Sequence, residues 1–262
     1  MAHPNEALRF TEMLSRASAA PTPIVWICLL DLDAAAFSNE ASGIFLDERE
    51  STKMNTFVSP LHRRRFVVCR TALRRLLARG TGMAEDGVRI DYGEQGRPFL
   101  ANSPGILDFN VSHCQNAAVI ALSASITVGI DIERDEDGER ICAKVASIVL
   151  TGGERAALAR EVPARRGRAF LAYWIAKEAF MKLIGTGLSI DPSRIQVEWG
   201  KGYQQGRVRY CEEPMLAASP FAVDVGADAV CTLATTIDEV AICHMELEDA
   251  TFGKIDLLAG KC

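Results

Sequence analysis

Asp131 and Glu133, two residues apart in GIDIERD (residues 129–135), follow an apolar run that reads as a β-strand. In a strand, side chains at i and i+2 point to the same face. Their Cα atoms are then about 7 Å apart, two steps of strand rise. Two carboxylates held that close repel unless a positive charge lies between them, so the pair calls for a cation. A second charged pair, Glu178 and Lys182, stands at i and i+4 in WIAKEAFMKLIGTGL, with Trp174 one turn earlier on the same helical face. On a surface such a pair is worth only a few tenths of a kcal/mol, about 0.3–0.5. Here the surrounding stretch is apolar, which turns the pair inward toward a cleft. Lys177 lies about 100° round the helical wheel and is the weaker candidate.

Basic residues form a third group. Arg63, Arg70 and Arg74 share one face of LHRRRFVVCRTALRRLLARG. A solvated helix face is the plain explanation for that stripe. His113 ends FNVSH, and alone it would ordinarily be a satisfied buried histidine. Ser112 and His113 are adjacent in a strand, so their side chains diverge, and no G-x-S-x-G elbow exists, which sets aside a serine hydrolase.

The elements that carry these residues can be read along the chain. Residues 1–20 look like a mobile arm, ended by Pro21 and Pro23, and residues 24–32 form a buried strand. Ser59-Pro60 supplies a helix cap and a first-turn proline, with Gly80 as the stop. Short strands follow at 88–92, 98–100 and from 108 through FNVSH, then a strand, a turn near 123–127, and the strand with the acidic pair. A helix over 140–150 precedes TGGE (151–154), which has the form of a capping box. A longer helix begins after Pro163 and stops at Gly185 and Gly187. Residues 195–247 alternate as strands, and the last dozen or so form a loose tail. This order lacks the regular βαβ alternation of a doubly wound sheet, so the fold class is α+β.

Composition limits the function. With 262 residues, 48% hydrophobic and 24% charged, the chain can bury a full core. A net charge of −5 argues against a nucleic-acid binder. Eight cysteines include no C-x-x-C pair, which disfavours structural zinc, and most should pack as small hydrophobes in a reducing cytoplasm. No secretory leader is visible, and the longest apolar run is far short of the ~20 residues of a membrane span.

FNVSH at 109–113, GIDIE at 129–133 and WIAKEAFMKLIGTGL at 174–188 resemble the signature blocks of the Sfp-type 4′-phosphopantetheinyl transferases. RRRFVVCRTALRRLL and EQGRPFL add to the resemblance, which covers roughly residues 59–199 with order and spacing kept. It implies an enzyme that moves the phosphopantetheine arm of coenzyme A onto a serine of an apo acyl or peptidyl carrier protein and releases 3′,5′-ADP. It also implies two similar subdomains, each a helix on a small antiparallel sheet, related by a pseudo-twofold. They would occupy residues 24–127 and 128–250, between an arm at 1–23 and a tail at 251–262. Mg²⁺, with Mn²⁺ able to substitute, would sit on Asp131, Glu133 and Glu178. Glu178 and Lys182 would be catalytic, and Lys182 would also touch the coenzyme. Arg70, Thr71, Arg97, Ser112 and His113 would hold the coenzyme, chiefly at its 3′-phosphate, with Arg63 and Arg74 as helpers. The carrier would dock on Arg140, Lys144, Ile148 and Val149. The expected protein is a cytoplasmic monomer that binds neither nucleic acid nor membrane. Two other readings use the same residues: a Mg²⁺-dependent phosphohydrolase of CoA or nucleotides, and a non-catalytic CoA-binding, carrier-docking protein.

Overall fold

The computed structural model describes residues 19–34, 46–103, 105–248 and 254–257. Most of the expected arm and tail lies outside the described residues. The chain runs β1 (Ile24–Asp31), α1 (Glu48–Thr56), α2 (Pro60–Thr81), β2 (Ile90–Tyr92), β3 (Pro98–Leu100), β4 (Asp108–Cys114), β5 (Ala117–Ser123) and β6 (Val128–Arg134). It continues through α3 (Gly138–Val149), α4 (Gly152–Arg160), α5 (Pro163–Ile184), β7 (Ile195–Trp199), β8 (Gly206–Tyr210), β9 (Ala217–Val223), β10 (Ala229–Thr235), β11 (Ala241–Glu248) and β12 (Lys254–Leu257). The fold is α+β, with five-stranded sheets in the orders β12-β11-β1-β5-β4 and β6-β10-β9-β8-β7.

Each sheet carries a 22-residue helix. Ser59 accepts the His62 N–H and Pro60 opens α2, as expected. The stop is Gly82 rather than Gly80, because Gly82 takes the left-handed φ of +72° that ends the helix. Pro163 opens α5, and Gly185, at φ +75°, ends it. The TGGE box forms as read: Thr151 accepts the Glu154 N–H, and the Glu154 carboxylate accepts the Thr151 N–H. The helix α1 went unread. It is set by a second capping box, Asp47 with Glu50.

The strand β11 falls in residues 128–250, yet it pairs in parallel with β1 in the first sheet. Its buried Cys243 and Met245 join the core beneath α2, which favours that edge. Cys28, Cys69, Cys114 and Cys231 are buried and free, as expected of small hydrophobes, whereas Cys243 is disulfide-bonded.

Alternation explains the layering. Trp26, Cys28 and Leu30 of β1 pack under α2 with Leu73, Leu76 and Leu77. Val25 and Ile27, on the other face, meet Val128, Ile130, Ile132 and Leu233 of the second sheet. The two sheets therefore share a core, and β1 is buried on both faces, which is why its sequence is a continuous apolar run. In β6 the same period of two leaves Gly129, Asp131 and Glu133 facing away from that shared core.

Candidate active site

Gly129 brings the site together. A Cβ there would lie 2.1 Å from the Ala179 carbonyl oxygen and 2.5 Å from the Leu183 nitrogen, so the backbone of α5 rests directly on β6. Any side chain at 129 would push the helix off the strand. The contact at Ala179 and Leu183 sets their neighbours Glu178 and Lys182 beside Asp131 and Glu133. Lys182 Nζ donates to Asp131 Oδ1 at 2.7 Å and to the Ile130 carbonyl at 3.2 Å. Asp131 is 6% exposed, and its Oδ1 also accepts the Ser112 hydroxyl at 2.7 Å.

The two sheets meet here along their edge strands, β4 and β6. Alternate side chains of β4 bridge the seam. Asp108 accepts the Val128 N–H at 2.8 Å, Asn110 accepts the Ile130 N–H at 3.2 Å, and Ser112 reaches Asp131. Asp108 and Asn110 escaped the sequence reading, although the D-x-N-x-S spacing on one strand face was visible. Ser112 thus positions Asp131.

The carboxylates repel one another. Glu133 is pushed up to about 7, first by burial and then by the charges of Asp131 and Asp137. Glu178 is likewise pushed up to about 7, first by burial and then by Asp131, with Lys182 opposing. Unfolded, both titrate near 4.5. A raised acid pKa makes its contribution fully present below about 4.5 and lost as pH rises through about 7. A protein with both residues changed to glutamine should therefore melt higher than the parent, with a larger gain at about pH 8 than at about pH 5. Equal gains at both pH values in a thermal melt would show that burial and Asp131 do not raise the pKa of either carboxylate.

All three acids offer hard oxygen donors, which suit Mg²⁺. Among the described residues no group of three His, Cys, Asp or Glu side chains is gathered to hold a metal ion on its own. Mg²⁺ needs only one or two carboxylates when substrate phosphates complete its shell, so the donor chemistry fits a metal that arrives with a phosphate.

On the other face of β4, His113 and Val111 line a cavity of about 470 Å³ beneath α2, with His62, Arg65, Phe66 and Arg70. His113 is held below its usual range, first by burial and then by the positive charges of Lys182 and Arg70. Arg70 lies 3.8 Å from Glu50, with its guanidinium over the Phe66 ring. Thr71, next to Arg70, is buried, and its Oγ1 has no hydrogen-bond partner among the described residues.

Other residues have different surroundings from those expected. Arg97 is not among the side chains lining that cavity; its guanidinium donates to Asp108 at 2.7 and 3.0 Å and to the carbonyls of Val128 and Lys182. Arg74 is no part of a solvated face: it is buried and bonded to Glu50, Asp47 and the Val88 carbonyl. Arg63 is exposed and donates to the Phe57 carbonyl. Lys177 is fully buried, bonded to Glu154 at 2.6 Å and to two carbonyls. On α3, Arg140, Lys144 and Ile148 are exposed, but Val149 is 6% exposed and packs inside, so it cannot face a partner.

A basic cavity lies near one buried and two half-buried carboxylates and a lysine, at a seam between two helix-on-sheet layers. Comparison with known proteins gives the family. The family model of the 4′-phosphopantetheinyl transferase superfamily matches residues 127–234, and that of the 4′-phosphopantetheinyl transferase N-terminal region matches 36–125. The 4′-phosphopantetheinyl transferase HetI of Nostoc sp. is 31% identical over 169 residues, covering 63% of this chain and 69% of its own. The 4′-phosphopantetheinyl transferase of Bacillus subtilis is 26% identical over 147 residues, covering 52% and 63%. The L-aminoadipate-semialdehyde dehydrogenase-phosphopantetheinyl transferase of Mus musculus is 25% identical over 166 residues, covering 58% and 52%. The chain belongs to the 4′-phosphopantetheinyl transferase superfamily. No described helix is long and apolar enough to cross a membrane.

Proposed function

We propose that this phosphopantetheinyl transferase carries out its chemistry at Asp131, Glu133, Glu178 and Lys182, with the coenzyme's 3′-phosphate held at Arg70 and His113. The observation that carries this reading is the packing of α5 on Gly129, which sets Glu178 and Lys182 beside Asp131, close enough for Lys182 and Asp131 to act on His113 of the basic cavity. Mg²⁺, held by Asp131 with Glu133 or Glu178 when the pyrophosphate is bound, would neutralise phosphate charge as the serine hydroxyl approaches. Glu178 takes the proton from the serine Oγ, directly or through water. Its pKa near 7 suits a base that must be ionised at neutral pH yet still attract a proton. Lys182 supports the negative charge that grows on the transferred phosphate and the departing 3′,5′-ADP. Asp131 orients Lys182, and Ser112 fixes Asp131.

The cavity reading has its own test. Arg70→Ala should weaken CoA binding by ~1.5–3 kcal/mol, the value of a charged hydrogen bond, and should leave 3′-dephospho-CoA binding almost unchanged. Equal losses for both ligands in calorimetric titrations would remove Arg70 from the 3′-phosphate. Incubating the protein with CoA and Mg²⁺ separates the reaction classes. A carrier that gains mass while 3′,5′-ADP appears supports transfer, and free phosphopantetheine formed without a carrier indicates hydrolysis.

A further inference from the structure

We infer that Arg97 is a positioning residue for the transfer reaction, locking the two sheets in register at the seam, rather than a ligand of the coenzyme phosphate. The inference rests on the catalytic assignment proposed above. The acceptors of Arg97 lie on both sides of the seam. The Arg97 guanidinium spans four oxygens on three elements: both oxygens of Asp108 on β4, the Val128 carbonyl on β6 at 3.2 Å and the Lys182 carbonyl on α5 at 3.1 Å. Asp108 is in turn bonded to the Val128 N–H. The β4 strand lines the basic cavity, while β6 and α5 carry the carboxylates and the lysine, so this one side chain ties the coenzyme side to the catalytic side.

Space is also built for the side chain. A Cβ at Gly185 would meet Arg97 Cδ at 3.2 Å and Cβ at 3.4 Å, so the glycine that ends α5 also makes room for the arginine stem. The Lys182 carbonyl is among the last four of α5, which have no partner within the helix. A cation there also meets the negative end of the helix dipole. Arg97 therefore fixes the last turn of α5, and with it the height of Lys182 over Asp131.

Its charge is already matched by Asp108, unlike that of a side chain waiting for an anion. Loosening this lock lets the two halves of the bound coenzyme shift relative to each other, and misplacement of about 1 Å can cost 10²-fold in rate.

The test compares Arg97→Gln, Arg97→Lys, Asp108→Asn and the Arg97→Gln/Asp108→Asn double variant in transfer to an apo-carrier. The lock predicts that kcat falls about 10–100-fold. KM for CoA and the preference for CoA over 3′-dephospho-CoA should hold near parental values. Lysine should not rescue, since its single ammonium cannot reproduce the planar fork. The double variant should be no slower than either single one, because both remove one interaction. Loss of the CoA preference at unchanged kcat, with rescue by lysine, would make Arg97 a phosphate ligand and overturn the inference. Additive single losses would overturn it too.

A second readout needs no turnover. Amide hydrogen exchange at Val128 and Ile130 should speed up in Arg97→Gln and Asp108→Asn, and unchanged protection would overturn the lock. If the parent protein transfers nothing, the proposed chemistry fails while the exchange result still decides on Arg97.

Discussion

Glu178→Gln should leave a folded protein that still binds CoA but transfers its arm at least about 10²–10⁴-fold more slowly. Glutamine keeps the size of the side chain and removes the base, the charge and a good metal oxygen. Burial and Asp131 already make the ionised form costly, so the substitution should not lower the melting temperature and should raise it above neutral pH. Loss of rate with gain of stability is the signature of a group kept for chemistry. Single-turnover transfer, measured beside CoA titration and thermal melts, separates the three quantities. A variant with near-parental transfer would move the base elsewhere, with Glu133, also near 7, as the remaining carboxylate.

The residue before it should behave in the opposite way. Lys177 is 0% exposed, and its ammonium bonds Glu154, Val149 and Pro192, which joins α5 to α4 and to the entry of β7. Glu154 is itself 3% exposed and accepts the Thr151 and Val197 N–H groups. Lys177→Met should strand that carboxylate in the interior and cost ~3–5 kcal/mol. That is a large share of the ~5–15 kcal/mol of a whole domain. Urea unfolding should register the loss, while the turnover of the fraction still folded stays near parental. Unchanged stability with abolished transfer would make Lys177 catalytic.

These neighbours show where the sequence was informative. Apolar surroundings fit the half-buried setting of Glu178 and Lys182, which the packing of α5 on Gly129 turns toward β6. Strand periodicity alone puts Asp131 opposite Ile130 and Ile132. Helix ends were legible at Ser59, Thr151 and Gly185, where cap residues have one local use. The arginine stripe misled: Arg63, Arg70 and Arg74 look equivalent on a wheel, yet α1 covers Arg74 with Glu50 and Asp47, and no local pattern announces that cover. Arg97 likewise depends on partners far along the chain, at Asp108, Val128 and Lys182. The pairing of β11 with β1 joins the two ends of the fold, a non-local choice made by the buried Cys243 and Met245. Nor does a local pattern explain Gly129, whose place is set by the backbone of α5 pressed against it.

Asp131 is the centre of the site, since it holds Lys182, receives Ser112 and raises the pKa values of both Glu133 and Glu178. The most direct measurement is mass spectrometry of an apo-carrier after incubation with CoA and either the parent or Asp131→Ala, each in Mg²⁺ and in excess EDTA. The added arm should appear only with the parent in Mg²⁺, and near-parental transfer by Asp131→Ala or by the parent in EDTA would contradict a metal-assisted reaction at Asp131.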